Sequence, residues 1–290
     1  MKNSKYIVGT VPPPVGGVTN YIKRLIENDP NLILIDYKRT HLILFLLKII
    51  QLKSFVTHCQ NKNLILIVGL LAKVMGNNCE VFFHERITPN HSFSKLRLRT
   101  ILSIVKKVYV LNEESYNYCI RYNNRVELAS SFVSAPKIMY DKRIKKLFKL
   151  YPKESCYSTY AFRRVFKNNN EVYGISGLVN LFQKLPDKLL FVADPSGEYT
   201  KFYKSKKTIE LKNVIFINYD HNFLYTMSKC NAYIRNTSTD GDSLCVREAI
   251  HIGTKVFATD VCSRPSEVVL FSNMNELYYI INDIGKVEHK

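Results

Sequence analysis

The chain has 290 residues, 46% of them hydrophobic, enough for one large domain or two ordinary ones around a substantial core, which argues against a disordered protein. Lys and Arg number 42 against 24 Asp and Glu, a formal net charge of +18, so an anionic partner is expected: nucleic acid, a phosphorylated small molecule or an acidic membrane surface. The seven cysteines are odd in number, scattered and never in a Cys-x-x-Cys pair, so neither a disulfide framework nor a zinc knuckle is indicated, and a reducing cytosol fits best.

The N-terminal "MKNSKYIVGT" lacks the apolar core and cleavage site of a signal peptide, and secretion is not expected. Short β-branched or aromatic runs follow: "YIVGT" at 6, "LILI" at 32, "FVTH" at 55, "EVFFH" at 80 and "VYVL" at 108. Helix-like segments separate them at Gly17 to Ile26, His41 to Leu52, Asn63 to Met75 and Ser92 to Ile104. Such alternation predicts βαβ units and a parallel sheet. The runs "LILFLL" and "LILIVGLLA" fall short of the ~20 residues that span a bilayer. The basic stretch "KIMYDKRIKKLFKLYPKE" then breaks the rhythm and marks a boundary.

Beyond it the pattern restarts with "CYSTYAF" at 156, "KLLFVAD" at 188, "NVIFINY" at 213, "NAYIRN" at 231 and "TKVFATD" at 254. Two doubly wound halves are the simplest architecture, with ligands at the carboxyl ends of their strands. The expected organisation is a first Rossmann-like domain over 1–137, a basic linker over 138–154, a second Rossmann-like domain over 155–274, and a C-terminal helix or tail over 275–290.

In "RNTSTDGDSLCVREAIHIGTKVFATD" acidic residues gather around a helix start. Asp240 and Glu248 are eight residues apart, roughly 80° out of register on one helix, so they are not expected to share one. Asp240-Gly241-Asp242 reads as a loop, Ser243 as the start of a helix running to Ile252, and Gly253 as its end. Free N–H groups at Ser243, Leu244 and Cys245 then suit a diphosphate. The carboxylates of Asp240 and Glu248 suit neutral sugar hydroxyls, so the ligand expected is a sugar joined to a nucleotide.

"DGDSLCVREAIHIGTKVFATD", followed by "CSRPSEVVLF", resembles the acidic-x7-Glu signature and trailing Arg-Pro of GT-B glycosyltransferases in the large retaining family that includes many bacterial polysaccharide enzymes. The resemblance implies an α/β fold of GT-B type, two Rossmann-like doubly wound domains facing across a cleft. It implies that Glu248 binds the nucleotide ribose and that Asp240 approaches the transferred sugar; the family more often has Glu at the first position. Gly241, Asp242, Ser243 and Leu244 complete the donor loop. Arg163, Arg164 and Lys167 stand where the family grips the diphosphate, without its usual spacing. Gly16-Gly17 stands where an N-terminal Gly-Gly loop lies beside donor phosphate and acceptor. His84, closing "EVFFH", stands where the family carries a histidine near the reacting carbon. His58 is a weaker candidate of the same kind, and His251 is expected to pack or cap.

The function expected is transfer of a sugar, with retention, from a nucleotide-diphosphate-sugar to a glycan or lipid-linked glycan in surface-polysaccharide biosynthesis of O-antigen or capsule type. No metal and no cofactor is expected. The partners are donor, acceptor and an anionic membrane surface, which places the protein in the cytoplasm at the inner face of the plasma membrane. Two basic amphipathic segments, "SKLRLRTILSIVKK" and "YDKRIKKLFKLY", offer charge for that surface, while their apolar stripes are expected to pack on sheets. The rivals are a GT-B-like sugar epimerase and a basic nucleic-acid-binding protein. For the latter, 19 Tyr and 16 Phe are available but no reader motif is present, and nucleic acid is not the partner expected.

Overall fold

β-branched and aromatic runs become strands because such side chains pack well on a pleated surface. The computed structural model describes all residues except 1–4, 14–15, 88–91, 134–136, 207–210 and 288–290. The chain folds as two compact units, 1–134 with 241–244, and 135–240 with 245–290. Two ends of the expected layout, the first four residues and 288–290 of the C-terminal tail, lie outside the described residues, as do Pro14 and Val15 before the Gly-Gly pair.

In the first unit, strands β1 (Lys5–Gly9), β2 (Leu32–Asp36), β3 (Ser54–Thr57), β4 (Asn78–Phe82), β5 (Lys107–Val110) and β6 (Val126–Leu128) alternate with helices α1 (Gly17–Asn28), α2 (Leu42–Gln51), α3 (Lys62–Val74), α4 (Ser92–Ile104) and α5 (Glu113–Cys119). The strands form one parallel sheet in the order β2-β1-β3-β4-β5-β6. From β2 to β5 every connection steps in one direction, and right-handed crossovers then place α2, α3 and α4 on one face and α1 on the other. The packing agrees. Phe45, Ile49, Val68 and Ile101 share a core with Val8, Phe55 and Val108, whereas Tyr21 and Ile22 pack with Ile7 and Phe82.

The second unit opens with α6 (Lys142–Leu147) and β7 (Cys156–Tyr160), then the hairpin β8 (Phe166–Lys167) and β9 (Asn170–Glu171). There follow α7 (Ile175–Gln183), β10 (Leu189–Ala193), α8 (Glu198–Ser205), β11 (Val214–Ile217), α9 (Phe223–Ser228), β12 (Ala232–Arg235), α10 (Leu244–His251), β13 (Lys255–Thr259), β14 (Val268–Phe271) and α11 (Met274–Val287). The second parallel sheet has the order β11-β10-β7-β12-β13-β14. Every residue of β10 is buried, as expected for a strand covered on both faces. Helices α7, α8 and α11 cover one face and α9 and α10 the other.

Both basic amphipathic segments use their stripes for packing. Leu98, Ile101, Leu102 and Val105 lie in the first core, and Ile144 with Leu147, Phe148 and Tyr151 packs against Leu189, Phe191 and Ile217. All seven cysteines are free thiols.

Candidate functional site

Each sheet reverses its strand order once, between β1 and β3 in the first unit and between β7 and β12 in the second. Ligands of doubly wound folds sit outside the carboxyl ends of the strands at such a reversal, because the loops leaving the two strands part there and open a crevice.

In the second unit the segment after β12 carries the acidic stretch. Asn236 Nδ2 donates to the Gly174 carbonyl at 2.8 Å, and Thr259 Oγ1 donates to the Thr237 carbonyl at 2.8 Å, tying the loop to the start of α7 and the end of β13. Gly174 has φ +52°, and a Cβ there would stand 2.2 Å from Asn236 Nδ2, so glycine is required both by conformation and by the close approach. Gly253, with φ +72°, closes α10 in the left-handed conformation, where the sequence places its end.

Asp240 is held by two arginines. Its Oδ2 accepts from Arg235 Nε and from Arg264 Nη1, each at 3.0 Å, and its Oδ1 accepts from Arg235 Nη2 at 3.3 Å. The side chains of Arg235, Asp240 and Arg264 are only 13%, 10% and 2% exposed. Burial by itself pushes the Asp240 carboxyl up, but the Arg235 and Arg264 guanidinium groups prevail and hold it below the ordinary carboxylate value. Two cations therefore share one carboxylate, leaving a net positive charge. The Nη2 of Arg264 is enclosed without a partner among the described residues. An enclosed, incompletely neutralised guanidinium pair is chemically suited to an anion. Any further donor reaching Asp240 has to share its oxygens with these arginines, ionic partners that the sequence does not announce.

Glu248 is 4% exposed on α10, on the side turned inward with Val246 and Ala249. Ser243 is buried immediately before that helix. Gly241, Asp242, Ser243 and Leu244 belong to the first unit, where Asp242 Oδ2 accepts from Ser131 N at 3.0 Å and Ser131 Oγ at 2.9 Å. A Cβ on Gly241 would lie 3.0 Å from the His84 carbonyl oxygen.

Of the basic cluster, Arg163 and Lys167 are exposed. Arg164 is engaged: its N–H donates to Glu198 Oε2 at 3.1 Å and its guanidinium lies 3.6 Å from the Phe202 ring centroid. Lys167 stands on the β8–β9 hairpin, whose Asn168 and Asn169 have φ 50° and 61°, the conformation of a two-residue type I′ turn.

In the first unit, His58 and His84 follow neighbouring strands β3 and β4, and topology brings their rings together: His58 Nδ1 lies 3.0 Å from His84 Nε2. One of the two nitrogens donates and the other accepts. Burial pushes His58 down to about 3. His84 falls well below the ordinary imidazole value, by burial first and by the adjacent His58 second. The pair is therefore neutral at neutral pH, and Tyr21 meets His84 edge-on at 5.0 Å. At Gly9 a Cβ would lie 2.6 Å from Ile22 Cδ1, so a larger residue there has to move the end of that side chain. Gly16 precedes α1 in extended conformation and donates its N–H to Thr19 Oγ1 at 2.9 Å. At Gly17 a Cβ meets nothing among the described residues within 4 Å, so the fold itself does not demand glycine there.

No protein-family model and no curated protein matches this chain. Solved structures do. Anabaena HepE in complex with UDP-glucose aligns with TM-score 0.75 at 10% identity, covering 98% of this chain and 90% of that one. The fold is GT-B. Sucrose-phosphate synthase from Thermosynechococcus elongatus aligns at TM-score 0.68 and 15% identity over 98% and 90% of the two chains. WaaG, a glycosyltransferase involved in lipopolysaccharide biosynthesis, aligns at 0.60 and 12% over 96% and 90%. At these identities the likeness is one of fold. Two Rossmann-like units match what the strand pattern predicts.

Neither the Arg235–Asp240–Arg264 cluster nor the pairing of the two histidines is among the features expected from the sequence. Arg264 stood in the quoted Arg-Pro segment, but nothing local tied it to a carboxylate 24 positions earlier. The histidines carried a usable signal, because each closes a strand and adjacent parallel strands end side by side. Among the described residues no group of three or more His, Cys, Asp or Glu side chains could hold a metal ion.

Proposed function

We propose that the protein is a glycosyltransferase that moves a sugar from a nucleotide-diphosphate-sugar to a glycan or lipid-linked glycan. The observation that carries this reading is the placement of Asp240 and the buried Glu248 around the loop after β12, at the strand reversal of the second sheet, beside an arginine pair with residual positive charge. HepE and WaaG share the fold; HepE was solved with UDP-glucose, and WaaG acts in lipopolysaccharide biosynthesis. In the proposed enzyme Glu248 binds the ribose of the donor. Gly241, Asp242 and Ser243 shape the loop before α10, and the N–H groups at the start of that helix, from Ser243 and Leu244 on, take the diphosphate with Arg163, Arg164 and Lys167. Arg235 and Arg264 add fixed positive charge where the leaving diphosphate develops its own, which lowers the barrier without reorganisation. Asp240 faces the transferred sugar through whatever lone pairs the arginines leave, and orients both guanidinium groups. His84, kept neutral and oriented by His58, can give or take one hydrogen bond at the reacting sugar. Gly17 leaves room for a ligand to approach the backbone of the first unit.

Reaction with retention, no metal, a place in O-antigen or capsule biosynthesis, and a position at the inner face of the plasma membrane complete the proposal. The test is nucleotide release. Incubated with a panel of nucleotide-sugars, the protein is expected to liberate nucleoside diphosphate only when a saccharide or lipid-linked saccharide acceptor is added. Release without acceptor, with a changed free sugar, supports the epimerase instead. Indifference to every nucleotide-sugar, with polynucleotide binding that weakens steeply with salt, supports the nucleic-acid rival.

A further inference from the structure

The helices on one face of the first sheet are amphipathic in an unusual sense: their inner sides feed the core, and their outer sides are apolar as well. On α2, Ile43 and Leu47 are 63% and 51% exposed; on α3, Leu70 and Val74 are 43% and 82% exposed; on α4, Phe93 is 74% exposed. α2 packs beside α3 and α3 beside α4, so these side chains lie on the outer side of one three-helix layer. Single exposed apolar residues are ordinary, but several on each of two neighbouring helices and more on a third call for an explanation.

The charges say what docks. The three helices carry Lys48, Lys62, Lys73, Lys95, Arg97 and Arg99 and contain no Asp or Glu. Lys62 is paired with Glu85 at 2.8 Å, which comes from outside the three helices. Apolar side chains framed by cations alone match the acyl boundary and anionic headgroups of a bilayer, with the helices lying in the interface plane. A second copy of the chain would set these cations against themselves, a like-charge arrangement that opposes association. No helix among the described residues is long and apolar enough to cross a membrane.

We infer that the outer face of α2, α3 and α4 seats the protein on an anionic lipid surface. This deepens the membrane component of the proposed function: α4 coincides with the first basic amphipathic segment, whose inner stripe is consumed by packing, while its outer side joins those of α2 and α3. Seating does not depend on sugar transfer, so either proposal can fail alone.

The test uses the whole chain and vesicles of phosphatidylcholine with or without about a third phosphatidylglycerol. Because the sequence contains no Trp, Val74→Trp supplies a single fluorescent reporter on the face. Co-sedimentation with the anionic vesicles is expected, together with a blue shift of the reporter's emission and its shielding from an aqueous quencher. Partition is expected to weaken at least tenfold in neutral vesicles and in Ile43→Asp/Val74→Asp. That variant is checked by circular dichroism, with Ile43→Gln/Val74→Gln as the milder replacement if it misfolds. Absence of vesicle binding overturns the inference. So does vesicle binding that the substitutions leave intact, a bound protein whose reporter stays unshifted, or a concentration-dependent dimer that the same substitutions abolish.

Discussion

Arg264, 2% exposed, donates from Nη1 to Asp240 Oδ2 at 3.0 Å, and so joins the loop after β13 to the loop after β12. Removing one partner of a buried ionic cluster leaves uncompensated charge, a loss of ~3–5 kcal/mol. Asp240→Asn is therefore expected to destabilise the second unit by about that amount in denaturant melts. Combining it with Arg264→Met is expected to restore part of the loss. A stability indistinguishable from the parent in Asp240→Asn contradicts the cluster's structural role. The same carboxyl sits below its ordinary value in the folded state, so its contribution is present above the unfolded value and disappears as pH falls through the folded one.

The neutral histidine pair makes a second pH prediction with a different window. His58 falls from 6.5 to about 3 on burial, so between those values the unfolded chain binds a proton that the folded chain refuses. Stability is expected to decline as pH drops from 6.5, by up to ~1.4 kcal/mol per pH unit from this residue. His58→Gln should flatten the decline between about pH 6.5 and 5, read from urea midpoints at each pH. An unaltered slope means that His58 is already charged in the native protein.

Much of this was legible beforehand. Ten of the strands announced themselves as β-branched or aromatic runs between helix-like segments, and the end of α10 at Gly253 followed from glycine's access to positive φ. What escaped were elements with weak local signatures. Edge strand β6, "VEL", has three residues and a charge at its centre, too little for a run, whereas β14, "VVLF", is apolar throughout and was a readable strand inside the Arg-Pro segment. The β8–β9 hairpin spans two residues a side, too few for a period, although its Asn-Asn turn was a readable cue. The Arg235–Asp240–Arg264 cluster depends on where the sheet brings distant loops, and no spacing rule encodes that. For the same reason the ion pairing of Asp240 was not readable from its own segment.

Two glycines with positive φ separate backbone strain from steric overlap. Gly253→Ala meets open space and incurs only the left-handed conformation, ~1–2 kcal/mol. Gly174→Ala has the same strain and also displaces Asn236, whose Nδ2 lies 2.2 Å from the added Cβ. It is expected to be the more destabilising of the two, and Asn236→Ala should relieve the difference. Equal losses at the two positions would show that the Asn236 contact has no steric consequence.

In the proposed enzyme the loop after β12 and helix α10 bind the nucleotide portion of a sugar donor, with Glu248 at the ribose. Thermal-shift titration of the parent chain and of Glu248→Ala against a panel of nucleotide-sugars decides whether they do. At least one nucleotide-sugar is expected to raise the melting temperature of the parent, and Glu248→Ala is expected to keep its own fold while losing at least tenfold in donor affinity. A donor that stabilises both proteins equally contradicts a ribose-binding role for Glu248.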